Sequence, residues 1–343
     1  MLQRTNVLRA PAALAGVALL AAACGGGGSS AGGVGGSVVV SGSSTVEPIS
    51  VAVAEKFQAD NPDVKVSVDG PGTGDGFELF CNGETDISDA SRPIEPEEIE
   101  ACQGNGIEFI ELKIGIDGLS VLTSRENDKI DCLDFHDLYA LLGPESEGFD
   151  SWADANDLAA ELGAAHAPYP DMPLDITAPG EESGTYDSFI EIVLEDIAVE
   201  ERGQPEDGPF VRPDYQASPN DTVIIEGIAG SPSSLGWVGY AYYVQNQDVV
   251  KALEIAEPGG DCVAPTHDTI ASGEYPIARD LYIYVNAAKA KENPAVASYV
   301  DFYLSDPGIA SVEEVGYVAI TPEDLQASRA AWEARTTGSQ VQS

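Results

Sequence analysis

Residues 37–48 read SVVVSGSSTVEP, and the fold follows from how that stretch divides. Three valines between two serines form a short apolar strand, Ser37 to Ser41. A turn of glycine and hydroxyl residues follows. From Glu47 to Ala59 the apolar residues Ile49, Val51, Val53, Ala54 and Phe57 then fall at helical spacing. A strand feeds a helix through a hydroxyl-rich turn. The same order recurs downstream. Val64–Val68 alternates as a strand ahead of a helix over Gly76–Asn82. Asp86–Ala90 is a strand ahead of a helix over Glu95–Gln103. Strands are expected at Ile107–Leu112, Leu119–Thr123, Leu235–Val238 and Leu281–Val285. Helices are expected at Leu133–Leu142, Asp154–Leu162, Tyr186–Val199, Ala295–Leu304 and Pro307–Val315. This β-α-β rhythm predicts parallel-rich sheets with helices on both faces. In such folds ligands bind where a strand ends and a helix begins, so those loops carry the functional reading.

The chain has 343 residues, enough for about two domains, and 43% of them are apolar, enough for real cores. With 16 Lys+Arg against 58 Asp+Glu the formal charge is −42, so the basic footprint that nucleic acid requires is missing. The same charge seems to exclude an anionic ligand. It does not, because net charge describes the surface and is screened within about 8 Å at physiological salt. A buried anion site can be built from helix N-termini, hydroxyls and one arginine.

Three loops have that composition. Ser41 to Pro48 places Ser43, Ser44 and Thr45 at a helix start. Gly70-Pro71-Gly72-Thr73-Gly74-Asp75-Gly76-Phe77 has glycine at every second position and fits neither the dinucleotide fingerprint nor a P-loop. Gly180-Glu181-Glu182-Ser183-Gly184-Thr185 opens the helix from Tyr186. Each loop taken singly is equally a helix cap or a flexible turn. Arg92, one of nine arginines, follows Ser91 after a strand, where it could clamp an oxyanion or pair with a nearby carboxylate. Asp117 interrupts an apolar run. No G-x-S-x-G or H-E-x-x-H occurs, and the three histidines, His136, His166 and His267, are scattered singly and read as surface or loop residues. Catalytic residues, metal and cofactor are therefore not expected, although an exported hydrolase is the alternative of a different class.

At the N-terminus, Arg4 and Arg9 precede an apolar stretch from Ala10 to Ala23, too short to span a bilayer comfortably. Ala21-Ala22-Ala23-Cys24 resembles a bacterial lipobox, with Ala21 where leucine is usual. That resemblance implies a signal peptide over 1–24 and lipidation of Cys24. Residues 25–36, nearly all Gly, Ser and Ala, read as a flexible tether. Four cysteines remain in an exported chain and allow three pairings. Cys81–Cys102 is favoured because the two are close in sequence and flank one strand-helix unit. Cys132–Cys262 is then the remainder.

In order along the chain, SGSSTVEP (41–48), GTGDGF (72–77), ISDASRPI (87–94), GIDGLSVL (115–122), ESGTYDSF (182–189), LGWVGY (235–240) and VGYVAI (315–320) resemble the PstS family, the phosphate-binding proteins of bacterial phosphate ABC transporters. The resemblance implies an α/β periplasmic-binding-protein fold of type II, two lobes with a ligand cleft and hinge between them. Lobe 1 would hold 37–117 plus 281–343 and lobe 2 would hold 118–280. It implies inorganic phosphate and membrane permease subunits as partners, and contact with the membrane only through the anchor. Ser44 and Thr45 with the N–H of Val46, then Thr73 or Gly74 and Ser91, would bind phosphate from lobe 1. Ser183, Gly184 and Thr185 would bind from lobe 2. Some members carry an arginine four residues before the Ser-Gly-Thr serine and an aspartate at the Ser91 or Arg92 position. This chain has Pro179 and ISDASRPI instead. Arg92 as the charge and Asp117 as acceptor of the phosphate proton are therefore read as a replacement pair. Another oxyanion, such as molybdate, sulfate or phosphonate, is the nearer alternative, and Asp117 argues for phosphate because sulfate brings no proton to a carboxylate.

Overall fold

The computed structural model describes residues 34–181, 183–205 and 208–340. The signal segment, Cys24 and most of the tether lie outside them. Strand β1 (Gly36–Gly42) is central, with β2 (Val64–Asp69) and β3 (Ile87–Ala90) parallel to it on either side. Gly36, read as the last tether residue, already pairs with Val64. Helix α1 (Glu47–Asp60) follows β1 and buries Ile49, Val53, Ala54 and Phe57, an i, i+4, i+8 stripe against the sheet. Helices α2 (Thr73–Cys81) and α3 (Pro96–Gly104) follow β2 and β3.

One strand organises the rest. β4 runs unbroken from Phe109 to Ser124. Its first part pairs antiparallel with the strand Ala278–Asn286, from Phe109 opposite Asn286 to Gly118 opposite Ala278. From Leu119 onward it pairs with Gly236–Gly239 and then Val250–Ala252. The sequence reading gave two strands here, Ile107–Leu112 and Leu119–Thr123, with Gly115 and Gly118 between them. Both glycines instead answer close packing, since a β-carbon on Gly115 would sit 2.9 Å from Val312 Cγ1 and one on Gly118 2.9 Å from Ile270 Cγ2. The helix expected over Tyr186–Val199 also differs. It starts α-helical over Gly184–Phe189 and continues with wider π-helical turns at Ile190–Leu194 and Ile197–Glu201.

β4 contributes to four hydrophobic clusters among the described residues, of which two are large. Leu112 and Ile114 join Val40, Phe57, Ile283, Tyr299 and Tyr303 in the first. Leu119 and Val121 join Tyr139, Trp152, Phe189 and Trp237 in the second, where the Phe189 and Trp237 rings stack at 4.2 Å. These cores make the two lobes. A third segment also crosses between them. Val318 exchanges backbone hydrogen bonds with Ile116 and packs with Ile320 in the second core. Disulfides join Cys81 to Cys102 and Cys132 to Cys262. No helix among the described residues is long and apolar enough to cross a membrane.

Candidate functional site

The first loop is fixed from behind. Ser43 N–H donates to the Asp89 carbonyl at 2.8 Å, and Gly42 lies so close to Asp89 that a β-carbon would fall 2.1 Å from that oxygen. Gly42 also has φ +151°, in the region that favours glycine. Gly76 of α2 packs on Gly42 in turn, with a β-carbon only 2.4 Å from Gly42 Cα. Gly42 and Gly76 therefore serve loop-to-loop packing.

Thr45 is buried and meets the second lobe. Its Oγ1 accepts from Arg279 Nη2 at 3.0 Å and lies 3.5 Å from Ser188 Oγ. Arg279 Nη2 also donates to Ser188 Oγ at 2.7 Å, and Ser188 Oγ lies 2.6 Å from Asp117 Oδ2. Arg279 Nη1 pairs with Glu191. Arg279 Nε lies 3.7 Å from Asp117 Oδ2, beyond hydrogen-bond reach, and is buried without a partner. Strand register explains this knot. Arg279 stands directly opposite Asp117 on the antiparallel pair that joins the lobes. Burial pushes the Asp117 carboxyl above the usual carboxylate range, while Arg279 and the Ser188 bond pull it back. The side chain at the crossing is thus a desolvated acid beside a nearly buried cation.

The third loop faces the first. Ser183 caps the helix Gly184–Phe189 by accepting from Thr185 N–H at 3.2 Å. A β-carbon on Gly184 would lie 3.9 Å from Thr45 Cα and 4.0 Å from the Ser44 carbonyl oxygen. Thr73 and Ser91 are tied together, with their hydroxyls 3.1 Å apart. Thr73, Gly74, Ser91, Arg92 and Arg279 line one cavity of about 750 Å³, whose mouth is acidic with Asp75, Glu95 and Glu191. Asp117 and Thr185 line a second cavity of about 280 Å³ with Tyr317. Of the residues expected from sequence, Thr73, Gly74, Ser91 and Arg92 share the first cavity with Arg279, Asp117 and Thr185 line the second, and Thr45 and Asp117 meet Arg279 directly.

Two of the groups expected to bind phosphate already have partners within the chain. Arg92 is held by Glu98 through two bonds, Nη1 to Oε2 at 2.9 Å and Nη2 to Oε1 at 2.8 Å, with Glu95 at 3.3 Å from Nε. Its fork is matched by a carboxylate of this chain. The N–H of Val46 is directed to Ser43, 3.2 Å from its carbonyl and 3.4 Å from its hydroxyl, because Ser43 caps the turn, and the Val46 side chain is fully buried. Sequence reasoning missed Arg279, Ser188 and Glu191. Ser188 lies one helical turn beyond Gly184, and its hydroxyl also reaches the Gly184 carbonyl at 2.8 Å. Arg279 falls inside the stretch expected to cross between lobes, opposite an aspartate already singled out, so pairing the two crossing strands would have found it.

A family model described as a PBP superfamily domain matches residues 27–307. Protein SphX of Synechococcus elongatus is 36% identical over 299 residues, covering 87% of this chain and 81% of the relative. Phosphate-binding protein PstS of Staphylococcus aureus is 35% identical over 290 residues, 84% of this chain and 79% of the relative. The crystal structure of a possible phosphate binding protein from Planctomyces limnophilus matches with a TM-score of 0.78 at 34% identity, over 88% of this chain and 99% of that one. With two α/β lobes strung on β4 and the ordered loops meeting at their junction, the chain belongs to the PBP superfamily and, within it, to the PstS family of phosphate-binding proteins.

Proposed function

We propose that this protein captures inorganic phosphate between its lobes and delivers it to the permease subunits of a phosphate ABC importer. The observation that carries this reading is the convergence of Thr45 from one lobe and Ser188 from the other on Arg279, opposite Asp117. Arg279 supplies the cation, and its Nε makes no hydrogen bond while facing Asp117 Oδ2 at 3.7 Å. The hydroxyls of Ser44, Thr45, Thr73, Ser91, Ser183 and Thr185 supply neutral donors, Ser188 links Arg279 to Asp117 by accepting from one and donating to the other, and Gly74 and Gly184 let backbone approach. Asp117 accepts the proton that phosphate carries. Sulfate, fully ionised, would set its oxygen against the Asp117 lone pairs, which is a penalty without compensation.

The role is capture and release, with no covalent step. Phosphate enters between Arg279 and the loops, displacing the half-exposed Glu191 from the guanidinium. The lobes hinge where β4 changes partner at Gly118 and where Ala278 begins the return strand. Cys24 carries the lipid that holds the exported chain at the outer face of the cell membrane. Calorimetry on the purified protein tests the central reading. Phosphate should bind 1:1 with measurable heat, and sulfate at equal concentration should give none. Absence of heat with phosphate, or preferential binding of molybdate or sulfate, would overturn it.

A further inference from the structure

Far from the cleft, on the second lobe, the Cys132–Cys262 disulfide sits against an aspartate–histidine pair. Cys262 is exposed and Cys132 partly so, whereas Cys81 and Cys102 are buried. His166 Nε2 lies 3.7 Å from Cys262 Sγ, and both sulfurs and a His166 ring nitrogen fall within 4.8 Å of one another. His166 Nδ1 lies 2.6 Å from Asp137 Oδ2.

The protonation pattern of this pair follows from counting donors. Asp137 is fully buried and accepts from Asp134 N–H at 2.8 Å, His166 N–H at 3.3 Å and the Tyr169 hydroxyl. A carboxylate so surrounded offers only acceptor sites, so His166 Nδ1 carries the proton. Nε2 is then the ring nitrogen turned to Cys262. In the protonated ring it presents N–H to the sulfur, with Asp137 holding the countercharge. In the neutral ring it presents a lone pair. Neither role is used by the cleft.

We propose that Cys132–Cys262 is a thiol-exchange site, with His166 as its acid–base residue, Asp137 as the positioning residue, and an external dithiol as co-reactant. A thiolate of the dithiol attacks Cys132 Sγ. The Cys132–Cys262 bond breaks, its electron pair stays on Cys262 Sγ, and that sulfur takes the proton from His166 Nε2. A mixed disulfide forms at Cys132. The second thiol of the reagent, deprotonated, attacks its own sulfur in that mixed disulfide, and Cys132 leaves as a thiolate that takes a proton from water. The cysteine pair gains two electrons and two protons, and the dithiol is oxidised to its cyclic disulfide. A stabilised leaving thiolate speeds exchange and fixes which sulfur is attacked. The bond ties the strand Cys132–Asp134 to the segment after Glu254–Ala256, two strands already paired in register, so its opening loosens this edge of the lobe without touching the knot around Arg279.

The test is limited reduction of the folded protein with dithiothreitol, quenched by alkylation and read by mass spectrometry, with glutathione used separately to trap the first adduct. Cys132–Cys262 should open well before Cys81–Cys102, and glutathione should be found on Cys132. His166→Gln should slow opening about tenfold and move the adduct to the more exposed Cys262. Asp137→Asn should lose the same bias in adduct position, a readout that a purely structural role would leave alone. Because Asp137 also caps a helix, His166→Gln decides if Asp137→Asn fails to fold. Equal rates in wild type and His166→Gln, or a wild-type adduct on Cys262, would overturn the proposal.

Discussion

Arg92 and Arg279 line the same cavity in different company. Arg92 is clasped by both oxygens of Glu98, approached by Glu95 and laid over the Phe77 ring. Its planar fork is matched and its side chain remains about one third exposed. Arg279 is nearly buried, bonds two hydroxyls from opposite lobes, leaves one nitrogen unpartnered, and has its carboxylate contacts at Asp117 and the solvent-facing Glu191. The first arginine fastens a loop to a helix. The second is a set of donors aimed at a place where two lobes meet. A cation becomes a binding group through which of its bonds can be exchanged for a ligand's, and rarity in the sequence does not reveal that.

The largest expected effect is on Arg279. Arg279→Met should weaken phosphate binding by about a thousandfold, the cost of truncating one member of a buried charged network. Arg279→Met combined with Asp117→Asn controls for a stranded carboxylate. Retained affinity in both would break the contrast.

The contrast extends to carboxyls. Glu98 has Arg92 and Asp117 has Arg279, while Asp89, under the first loop, has Glu47 and Asp69 as its charged neighbours. Burial pushes Asp89 up to about 7, and Ser50 opposes the shift only in part. Between its unfolded value and about 7 the folded state keeps a proton that the unfolded state has released. Stability therefore falls as pH rises through that window, by up to about 4 kcal/mol. Asp89→Asn should remove that slope in urea denaturation compared at pH 5 and pH 8. Parallel slopes in variant and wild type would show that Asp89 is ionised in the fold.

A smaller effect concerns selectivity. Asp117→Asn should narrow the preference for phosphate over sulfate by about tenfold or more, since an amide can donate to the sulfate oxygen that a carboxylate repels. An unchanged ratio in competition calorimetry would remove Asp117 as the discriminator. Last, Arg92→Met should cost about 1 kcal/mol of stability, the scale of a partly exposed ion pair, measured by urea midpoint. A loss several times larger would mean that the Arg92–Glu98 clasp holds the cleft wall itself.

Much of this was legible in the residues. SVVVSGSSTVEP reads directly as strand, capped turn and helix because valines, hydroxyls and the apolar stripe of α1 each obey a local rule. The disulfide Cys81–Cys102 was legible for the same reason, since its partners flank one local unit. What failed was not local. β4 was expected as two separate strands, yet it runs through Gly115 and Gly118, whose small size answers Val312 and Ile270 from distant parts of the chain. Arg279 gains its meaning only through register with Asp117, more than a hundred residues earlier, and the pairing of Arg92 with Glu98 depends on how α3 docks. His166, expected to be an ordinary loop residue, faces a disulfide through the same kind of long-range placement.

The most direct measurement is a side-by-side phosphate titration of Arg279→Met and Arg92→Met by calorimetry at neutral pH. The account predicts that Arg92→Met stays within about threefold of wild type, as for a side chain whose charge is already paired, while Arg279→Met loses about a thousandfold. Loss in Arg92→Met with binding preserved in Arg279→Met would contradict it.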